Sequence, residues 1–440
     1  MKQLFNDLVR HAIAQLHASE VLLCNFCGES SDFVRFNHGR VRQAMTVRQA
    51  RIEVTMIRGR TRSTLTLTLS GQSGADRTRM DQVLRSLRDD LDLLPEDPYL
   101  LFAHEARQSN RESDGQLPTP EQIIDDIVTA GHQSDLVGIL ASGPIHRGFA
   151  NSLGAFHWHT VHAFLFDWSV YHRADKAVKS SWSGSQWAPQ ELSDRIQQAQ
   201  QELRDLSRPA RSLAPGEYRV YLAPAAVEDL VGMLNWDGIS AKAQRTQQSC
   251  IQKLVSGQAG LSPMVSIAED TAHGLDPCFD NMGFIKPPRV QLIDRGQHAG
   301  SMVSARTAAE YGIAGNGANA AEDGNSLSLA PGTLAPQDAL QALGTGLAIG
   351  NLHYLNFSDQ AHARITGMTR FASFWVENGK VVAPVNVMRW DDSLYRLLGD
   401  NLEALTDAPQ WLMSSSTYEE RSVQTMRVPG ALLSSMTFTL

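Results

Sequence analysis

The fold class of this chain follows from the stretch RIEVTMIRGRTRSTLTLTL, residues 51–69. Ile52, Val54 and Met56 alternate with polar residues, and the leucines of the second run alternate with threonines. A period of two predicts strands that bury one face, and Gly59 supplies a turn between the two runs. The stretch therefore predicts an antiparallel hairpin with one face in a core and the other in water.

Helical patterns lie on both sides of this hairpin. Apolar residues recur every three or four positions in residues 1–18, 80–91 and 189–206. Thr119 and Gln122 predict a further helix start, because Thr119 can cap the helix while Gln122 reaches back as a capping box. Strands and helices follow one another without sustained βαβ alternation, which predicts an α+β fold rather than a doubly wound sheet.

Two domains are predicted, because 440 residues exceed one ordinary hydrophobic core. Residues 207–217 contain two prolines, a glycine and few apolar residues, which is typical of a boundary. We therefore expect an N-terminal domain of residues 1–210 and a C-terminal domain of residues 211–440. Both are expected to be built on largely antiparallel sheets with packed helices, and the C-terminal domain to be rich in strands.

Two local patterns mark the second domain. Asn378 and Gly379 lie between alternating apolar runs and predict a tight hairpin turn with positive φ angles. The stretch from Gly312 to Gly332 predicts a long loop, and loops of that length in compact domains are often functional.

The composition excludes several classes of protein. The net charge is -8 and no long lysine or arginine run occurs, which argues against a nucleic-acid binder. No apolar run is long enough to span a membrane, and the first residues lack a signal-peptide core. Four cysteines do not make a disulfide framework, so the expected location is the cytoplasm.

Cys24 and Cys27 form a CxxC pair within a predicted strand. Residues three apart on a strand point to opposite faces, so these two thiols cannot hold one metal ion together. A redox CxxC opens a helix, and none is predicted here. The two cysteines are therefore interpreted as structural.

The second half resembles the TldD/PmbA family of metalloproteases. The resemblance rests on FDNMG at 279–283, LIDRG at 292–296, GN at 315–316, GTGL at 344–347 and FWVENG at 374–379. The segments SDFVRFNHG at 31–39 and NSLG at 151–154 extend it over nearly the whole chain, and the PmbA (TldE) branch is the more similar one. The resemblance implies a cytoplasmic peptidase system in which a TldD-like and a TldE-like subunit enclose a cavity for unfolded or extended peptides.

The family's zinc site is the point at which this sequence departs. The resemblance implies that a TldD-like subunit binds zinc through His-Glu-x-x-x-His on a helix and a downstream cysteine. The corresponding stretch here, Val227 to Asp237, contains no histidine, and no cysteine follows Cys278. We therefore expect no catalytic or metal-binding residue and no cofactor in this chain, with zinc in a TldD-like partner. Whether the chain is itself an enzyme stays open.

The first hypothesis is a TldE-like subunit of a heteromeric zinc peptidase that helps to form the peptide cavity. Peptide would be captured by backbone pairing to an exposed strand edge, which tolerates varied sequence. Glycines would allow a peptide backbone to approach closely. The candidate cavity residues are Asp280, Gly315, Asn316, Gly317 and Arg370. They are equally compatible with residues that only make turns.

Two alternatives remain. One is a homodimeric peptide-binding or scaffold protein that kept the fold and lost the enzyme. The other is an active hydrolase with a displaced metal site on His157 and His159, which share one face of a predicted strand. A third ligand from elsewhere would be needed for that site.

Overall fold

The computed structural model describes residues 1–113, 115–132, 134–173 and 176–440. The helices of the N-terminal half are α1 (Lys2–Ile13), α2 (Ser73–Leu91), α3 (Pro120–Ala130) and α4 (Pro189–Leu206). Its strands are β1 (Glu20–Asn37), β2 (Arg40–Arg58), β3 (Thr61–Thr68), β4 (Gln108–Glu112), β5 (Asp135–Asn151), β6 (Phe156–Arg173) and β7 (Lys176–Gly184).

These seven strands form one sheet with the order β3-β2-β1-β5-β6-β4, and β7 also pairs with β6. Every pairing is antiparallel except that of β4 with β6. The predicted hairpin is confirmed: Ile52, Val54 and Met56 are buried against α1 and α2. The predicted capping box is confirmed as well, since Thr119 and Gln122 each bond the other's backbone N–H at the start of α3.

The helices of the C-terminal half are short. They are α5 (Pro224–Asn235), α6 (Ala241–Arg245), α7 (Gln252–Val255), α8 (Ala305–Tyr311) and α9 (Ala339–Leu343). Its strands are β8 (Gly216–Leu222), β9 (Ile267–Glu269), β10 (Val290–Asp294), β11 (Gln297–His298), β12 (Ser326–Leu329), β13 (Gly346–Asp359), β14 (Arg364–Glu377), β15 (Lys380–Pro384), β16 (Arg389–Ser393), β17 (Leu402–Leu405), β18 (Gln410–Met413), β19 (Thr425–Val428) and β20 (Ala431–Phe438).

Two sheets share the core of this half. One has the order β11-β10-β9-β12-β19-β18. The other closes on itself through β13-β8-β20-β16-β14 and back to β13, with β15 and β17 at its sides. The pairings are mostly antiparallel, with β8–β13 and β12–β19 parallel. The expected α+β class with a strand-rich C-terminal half is therefore confirmed.

One sequence-based expectation for this half was wrong. The segment from Gly312 to Gly332 is not a continuous loop, because β12 occupies Ser326–Leu329 within it. All four β12 residues are buried between β9 and β19. Two serines among them obscured the apolar pattern. The predicted turn at Asn378 and Gly379 is confirmed, with φ angles of 51° and 74°.

The two halves are joined by a loop, residues 414–424, that reaches from the C-terminal half onto the first sheet. Its Arg421 is 2% exposed. The guanidinium donates to the carbonyls of Gly143 (3.2 Å) and Ala163 (2.8 Å) and to the Ser31 hydroxyl (3.3 Å). Burial lowers the pKa of Arg421 to about 10, and the charge of Glu29 opposes that shift.

Charged pairs flank this buried arginine. Glu420 accepts from Arg51 and from Arg147, both at 3.2 Å, and both arginines belong to the first sheet.

Within the described residues, no helix has the length and apolar character needed to cross a membrane.

Replacement of Arg421 tests this connection. Arg421→Ala removes three hydrogen bonds from a buried contact between the halves, so we expect the free energy of unfolding to fall by about 3–5 kcal/mol. Chemical denaturation monitored by tryptophan fluorescence measures it. Arg427→Ala, an exposed arginine on β19, is the matched control and should change stability by less than about 0.5 kcal/mol. Equal effects of the two substitutions would contradict the role given to Arg421.

Candidate functional site

A cleft lies between the two halves of the chain. It consists of two adjoining cavities of about 620 Å³ and 1040 Å³. Arg195, Gln198 and Glu202 of α4 line both cavities from one side, and Pro224 at the start of α5 lines both from the other. Clefts of this size between rigid units are the usual place for a ligand.

Helix α5 forms the floor of the smaller cavity because its sequence is amphipathic. Pro224 fits the first helical position, and Ala223 just before it donates its N–H to Ile349 on β13 at 2.9 Å. Val227, Leu230 and Val231 are fully buried in the C-terminal core. The opposite side of the helix faces the cavity with Glu228, Asp229, Gly232 and Met233.

The two α5 carboxyl groups are electrostatically unusual. Burial raises the pKa of Glu228 from its ordinary value near 4.5 to about 7, and the charge of Asp229 adds to the shift. Burial also raises the pKa of Asp229 to about 7, although the N–H of Leu352 favours its ionised form. The charge on the floor of this cavity therefore changes near neutral pH.

Further carboxyl groups line the walls. Burial raises the pKa of Asp167 on β6, while Lys179 on β7, 3.5 Å away, lowers it. Burial raises the pKa of Glu202 on α4 as well. One cation, Lys179, thus faces three carboxyl groups, since its charge also acts on Glu228 and Asp229. The smaller cavity presents a partly protonated acidic surface.

Two aromatic residues of the same cavity have strained backbones. Tyr354 has φ 58° and Phe371 has φ 55°, in the left-handed region that side chains rarely adopt. They lie on β13 and β14, where the pairing shifts register between Ile349 and Asn351 and again between His353 and Asn356. Tyr354 is 81% exposed. Bulges of this kind re-aim side chains, and here they direct two aromatic rings toward the cleft.

None of the five residues predicted from sequence is among those that line the two cavities, and Arg370 differs from the others only in that it adjoins Phe371. Arg370 is exposed on β14, and its guanidinium lies 5.6 Å from the ring of Phe371, which lines the cleft. Asp280 is buried in its own loop and accepts the N–H groups of Met282 (2.9 Å) and Phe284 (2.8 Å). It is not among the residues that line either cavity.

The Gly315–Gly317 segment forms a turn away from the cleft. Asn316 accepts the N–H of Val303 and donates to the carbonyl of Ser301, both at 2.8 Å. Gly317 has φ 72° and packs so closely on Lys286 that a Cβ would lie 2.9 Å from that side chain. Because the expected cavity forms between subunits, the role given to these residues stays a prediction.

Glu228 and Asp229 are the site residues that sequence reasoning missed. Both lie in the stretch that corresponds to the family's zinc helix, which the sequence analysis considered only for histidines. The pattern that points to them is two adjacent carboxyl groups on a helix whose other side is strongly apolar. Desolvation by β13 and β19, which pack on α5 and are distant in sequence, is not visible in a local pattern.

His157 and His159 connect the two halves of the chain. His159 is fully buried, and its Nε2 lies 2.8 Å from the Leu275 carbonyl. His157 is stacked between Phe149 and Phe279. In the described ranges, no three His, Cys, Asp or Glu side chains converge in a group that could hold a metal ion.

Comparisons with known proteins identify relatives of this fold. A family model, the PmbA/TldA metallopeptidase C-terminal domain, matches residues 215–440. No curated protein matches the chain. TldE from Thermococcus kodakarensis is similar at 14% identity with a TM-score of 0.77, over 99% of this chain and 100% of that one.

Two bacterial structures are similar as well, and both are described as modulators of DNA gyrase. The Thermotoga maritima protein is 16% identical with a TM-score of 0.75, over 100% of both chains. The Bacteroides thetaiotaomicron protein is 14% identical with a TM-score of 0.72, over 100% of this chain and 98% of that one. At these identities the likeness establishes the fold, which extends over the whole chain.

Replacement of Glu228 tests the electrostatics of the cleft. A carboxyl group whose pKa is raised on folding destabilises the folded state as pH rises through 7. Glu228→Gln removes that charge, so we expect the variant to exceed the native protein in free energy of unfolding by about 1–2 kcal/mol at pH 8, allowing for partial exposure. At pH 4 the difference should vanish. Denaturation at both pH values measures this, with Glu96→Gln, at an exposed position, as the control. A stability difference between Glu228→Gln and the native protein that is the same at pH 8 and at pH 4 would contradict the assignment.

Replacement of His159 tests the buried contact between the halves. Burial lowers the pKa of His159 from 6.5 to about 4. The unfolded chain therefore binds one more proton between these values, and stability is lost as pH falls through that window at up to about 1.4 kcal/mol per unit. His159→Gln keeps a donor for the Leu275 carbonyl. It should reduce the slope of the free energy of unfolding against pH by the contribution of one proton. His104→Gln, at an exposed position, should leave it unchanged. If the free energy of unfolding has the same slope against pH in all three proteins, the lowered pKa assigned to His159 is wrong.

Proposed function

Because the chain belongs to the PmbA/TldD metallopeptidase family, we propose that it is the TldE-like subunit of a cytoplasmic, peptide-processing complex. A TldD-like subunit would carry the zinc and perform hydrolysis. This chain would complete the peptide cavity and stabilise its partner. The fold similarity to TldE of Thermococcus kodakarensis supports the choice of branch.

The observation that carries the proposal is the chemistry of α5. Zinc in the manner of the family needs two imidazoles four residues apart on one helical face. α5 contains no histidine, and its polar pair, Glu228 and Asp229, is adjacent in sequence and thus about 100° apart around the helix. These residues do not fit the family's zinc ligands.

The cysteines do not supply the missing donor either. Cys250 is buried, and burial raises the pKa of its thiol to about 12. A zinc ligand has to be a thiolate, which such an environment disfavours. Cys278 lies 3.9 Å from Ser109 of the N-terminal half. Neither cysteine is among the residues that line the cleft beside α5.

The cleft supports a role in holding extended peptide. It runs beside β13, whose outer edge beyond Ile349 has no strand partner in the described residues. Aromatic rings at Tyr354 and Phe371 offer apolar contact, and the acidic floor offers acceptors for peptide N–H groups or a cationic end. Among the residues proposed to border the cavity, Arg370 has an exposed position beside this cleft. For Asp280, Gly315, Asn316 and Gly317 we propose a contribution through the shape of their loops.

Reconstitution of the complex tests the proposal. The chain and a TldD-like protein from the same genome should co-purify, contain about one zinc ion per pair, and cleave an unfolded peptide such as reduced, alkylated casein. The chain alone should contain less than 0.1 equivalent of zinc, roughly the background of metal analysis, and cleave nothing. Alanine at the two zinc-helix histidines of the partner should abolish cleavage and leave association intact.

The possible failures are distinct. Stoichiometric zinc and chelator-sensitive cleavage by the isolated chain would establish an active hydrolase. A homodimer that binds peptide and ignores the TldD-like protein would establish the scaffold alternative.

A further inference from the structure

We propose that the outer edge of β2, residues Arg40–Gln49, is the docking site for an acidic edge strand of the partner subunit. This inference rests on the proposed function for the identity of the partner. It assigns the interaction surface and the chemistry that recognises it. These ten residues are called the β2 edge below.

The β2 edge has no strand partner on its outer side. β1 pairs with β2 along its whole length, from Glu20 opposite Arg58 to Asn37 opposite Arg40. β3 pairs only with Arg51–Arg58, and one further bond joins the Leu69 N–H to the Ala50 carbonyl. Within the described residues, nothing pairs with the ten that precede Ala50 from this side, a length of roughly 33 Å.

The bond from Leu69 to Ala50 also shows which backbone groups point outward. In an antiparallel ladder the N–H and C=O of one residue point to the same neighbour, and successive residues alternate. Because the backbone N–H and C=O of Ala50 point outward, those of Arg48, Thr46 and Ala44 point outward as well. The pattern holds up to the register shift at which Arg35 pairs with Gln43 and Phe36 with Val41. Three consecutive outward pairs of donor and acceptor are therefore free to bind another strand.

The side chains of the β2 edge are exposed on both faces. Residues 40–46 are exposed throughout, and Val41 and Met45 are 42% and 47% exposed. Long, flat edges with apolar residues pair readily with other strands, and proteins usually shorten, cover or interrupt them. In the monomer this edge is long and uncovered, it has no proline, and only the bulge at Arg42 interrupts it. These properties indicate that another strand covers it in an assembly.

The charge of the edge selects its occupant. Residues 33–49 contain four arginines and no Asp or Glu, in a chain of net charge -8. In the part of the chain that the structure describes, none of these four arginines forms an ion pair. They are Arg35, Arg40, Arg42 and Arg48. Arg51, the next arginine along β2, by contrast pairs with Glu419 and Glu420.

A second copy of this chain fits the edge poorly. It would bring four more arginines and no carboxylate to the edge. An antiparallel pairing about a two-fold axis at Met45 sets Arg42 opposite Arg48 of the other copy, and an axis at Ala44 sets Arg40 opposite Arg48. An axis at Thr46 sets Arg48 opposite Ala44, which avoids such a pair but provides no carboxylate for any arginine. Like charges directly opposite one another destabilise a strand pair. A strand that carries carboxylates at these positions gains charge-assisted bonds as well as the backbone ladder. The geometry therefore favours an acidic strand over self-pairing.

Charge reversal is the first arm of the test. Arg42→Glu/Arg48→Glu should weaken binding to the TldD-like partner at least tenfold, measured by titration calorimetry in 0.1 M salt, because attraction becomes repulsion. Arg10→Glu/Arg77→Glu makes the same change in net charge at exposed positions on α1 and α2 and should bind as the native chain does. Added salt should weaken native binding more than binding by the charge-reversed variant.

Proline substitution is the second arm and separates backbone pairing from charge. Thr46→Pro removes an outward N–H that β1 does not use, together with one exposed side-chain hydrogen bond from Thr46 to Asp32. The melting temperature should therefore fall only slightly while partner binding falls at least tenfold. Met45→Pro removes an inward N–H and should unfold the hairpin, which confirms the orientation. Hydrogen exchange at Ala44, Thr46 and Arg48 should slow in the complex with the native chain.

The outcomes separate the two proposals. If the native chain binds the partner and both edge variants bind equally well, the β2 edge is not the docking site and the proposed function stands. If the native chain does not bind the partner, the proposed function fails and the named occupant fails with it. A homodimer of the native chain that Thr46→Pro abolishes would replace the acidic strand by a second copy.

Discussion

The buried guanidinium of Arg421 is the interaction on which the arrangement of the two halves depends. Its loop belongs to the C-terminal half, whereas its acceptors at Ser31, Gly143 and Ala163 belong to three strands of the first sheet. A buried cation is tolerated only where its hydrogen bonds are satisfied, so the loop cannot slide along the sheet without a large cost in free energy. The cleft is lined by α4 from one half and by α5 from the other, so its shape depends on how the two halves are held together.

The electrostatics of the cleft combine groups of both halves. Glu228 and Asp229 are desolvated where α5 packs against β13, β18 and β19, and burial raises the pKa of each carboxyl to about 7. In a metal-binding helix a divalent cation would hold neighbouring carboxyl groups in their ionised form. Here Lys179 is the cation that faces them, and it does not offset burial. The floor of the cleft thus behaves as a weak acid near neutral pH rather than as a ligand set.

The sequence predicts the local structure better than the site, for a physical reason. α4 occupies Pro189–Leu206 as its apolar period indicated, and the Thr119 cap forms as predicted, because both depend on neighbours within one or two helical turns. β12 was missed because its pattern makes sense only once β9 and β19 enclose it. The extension of β2 back to Arg40 was missed since its exposed residues do not alternate. The cleft depends on segments that are more than a hundred residues apart, and no local pattern encodes that proximity.

The two features assigned to function share one physical form. Glu228 is a polar group on a rigid element, and among the described residues no cation forms an ion pair with it. The outward backbone groups of Ala44, Thr46 and Arg48 are polar groups on a rigid strand, and they too have no strand partner in the described ranges. The sheet of β13, β8, β20, β16 and β14, by comparison, closes into a ring, so most of its strands pair with another strand on both sides. Rigid polar groups that a chain leaves unpaired lose little entropy when a ligand or another subunit pairs with them, so they are suited to binding rather than to the stability of the monomer. A subunit that lacks its own metal ligands can still determine the function of an assembly through such surfaces.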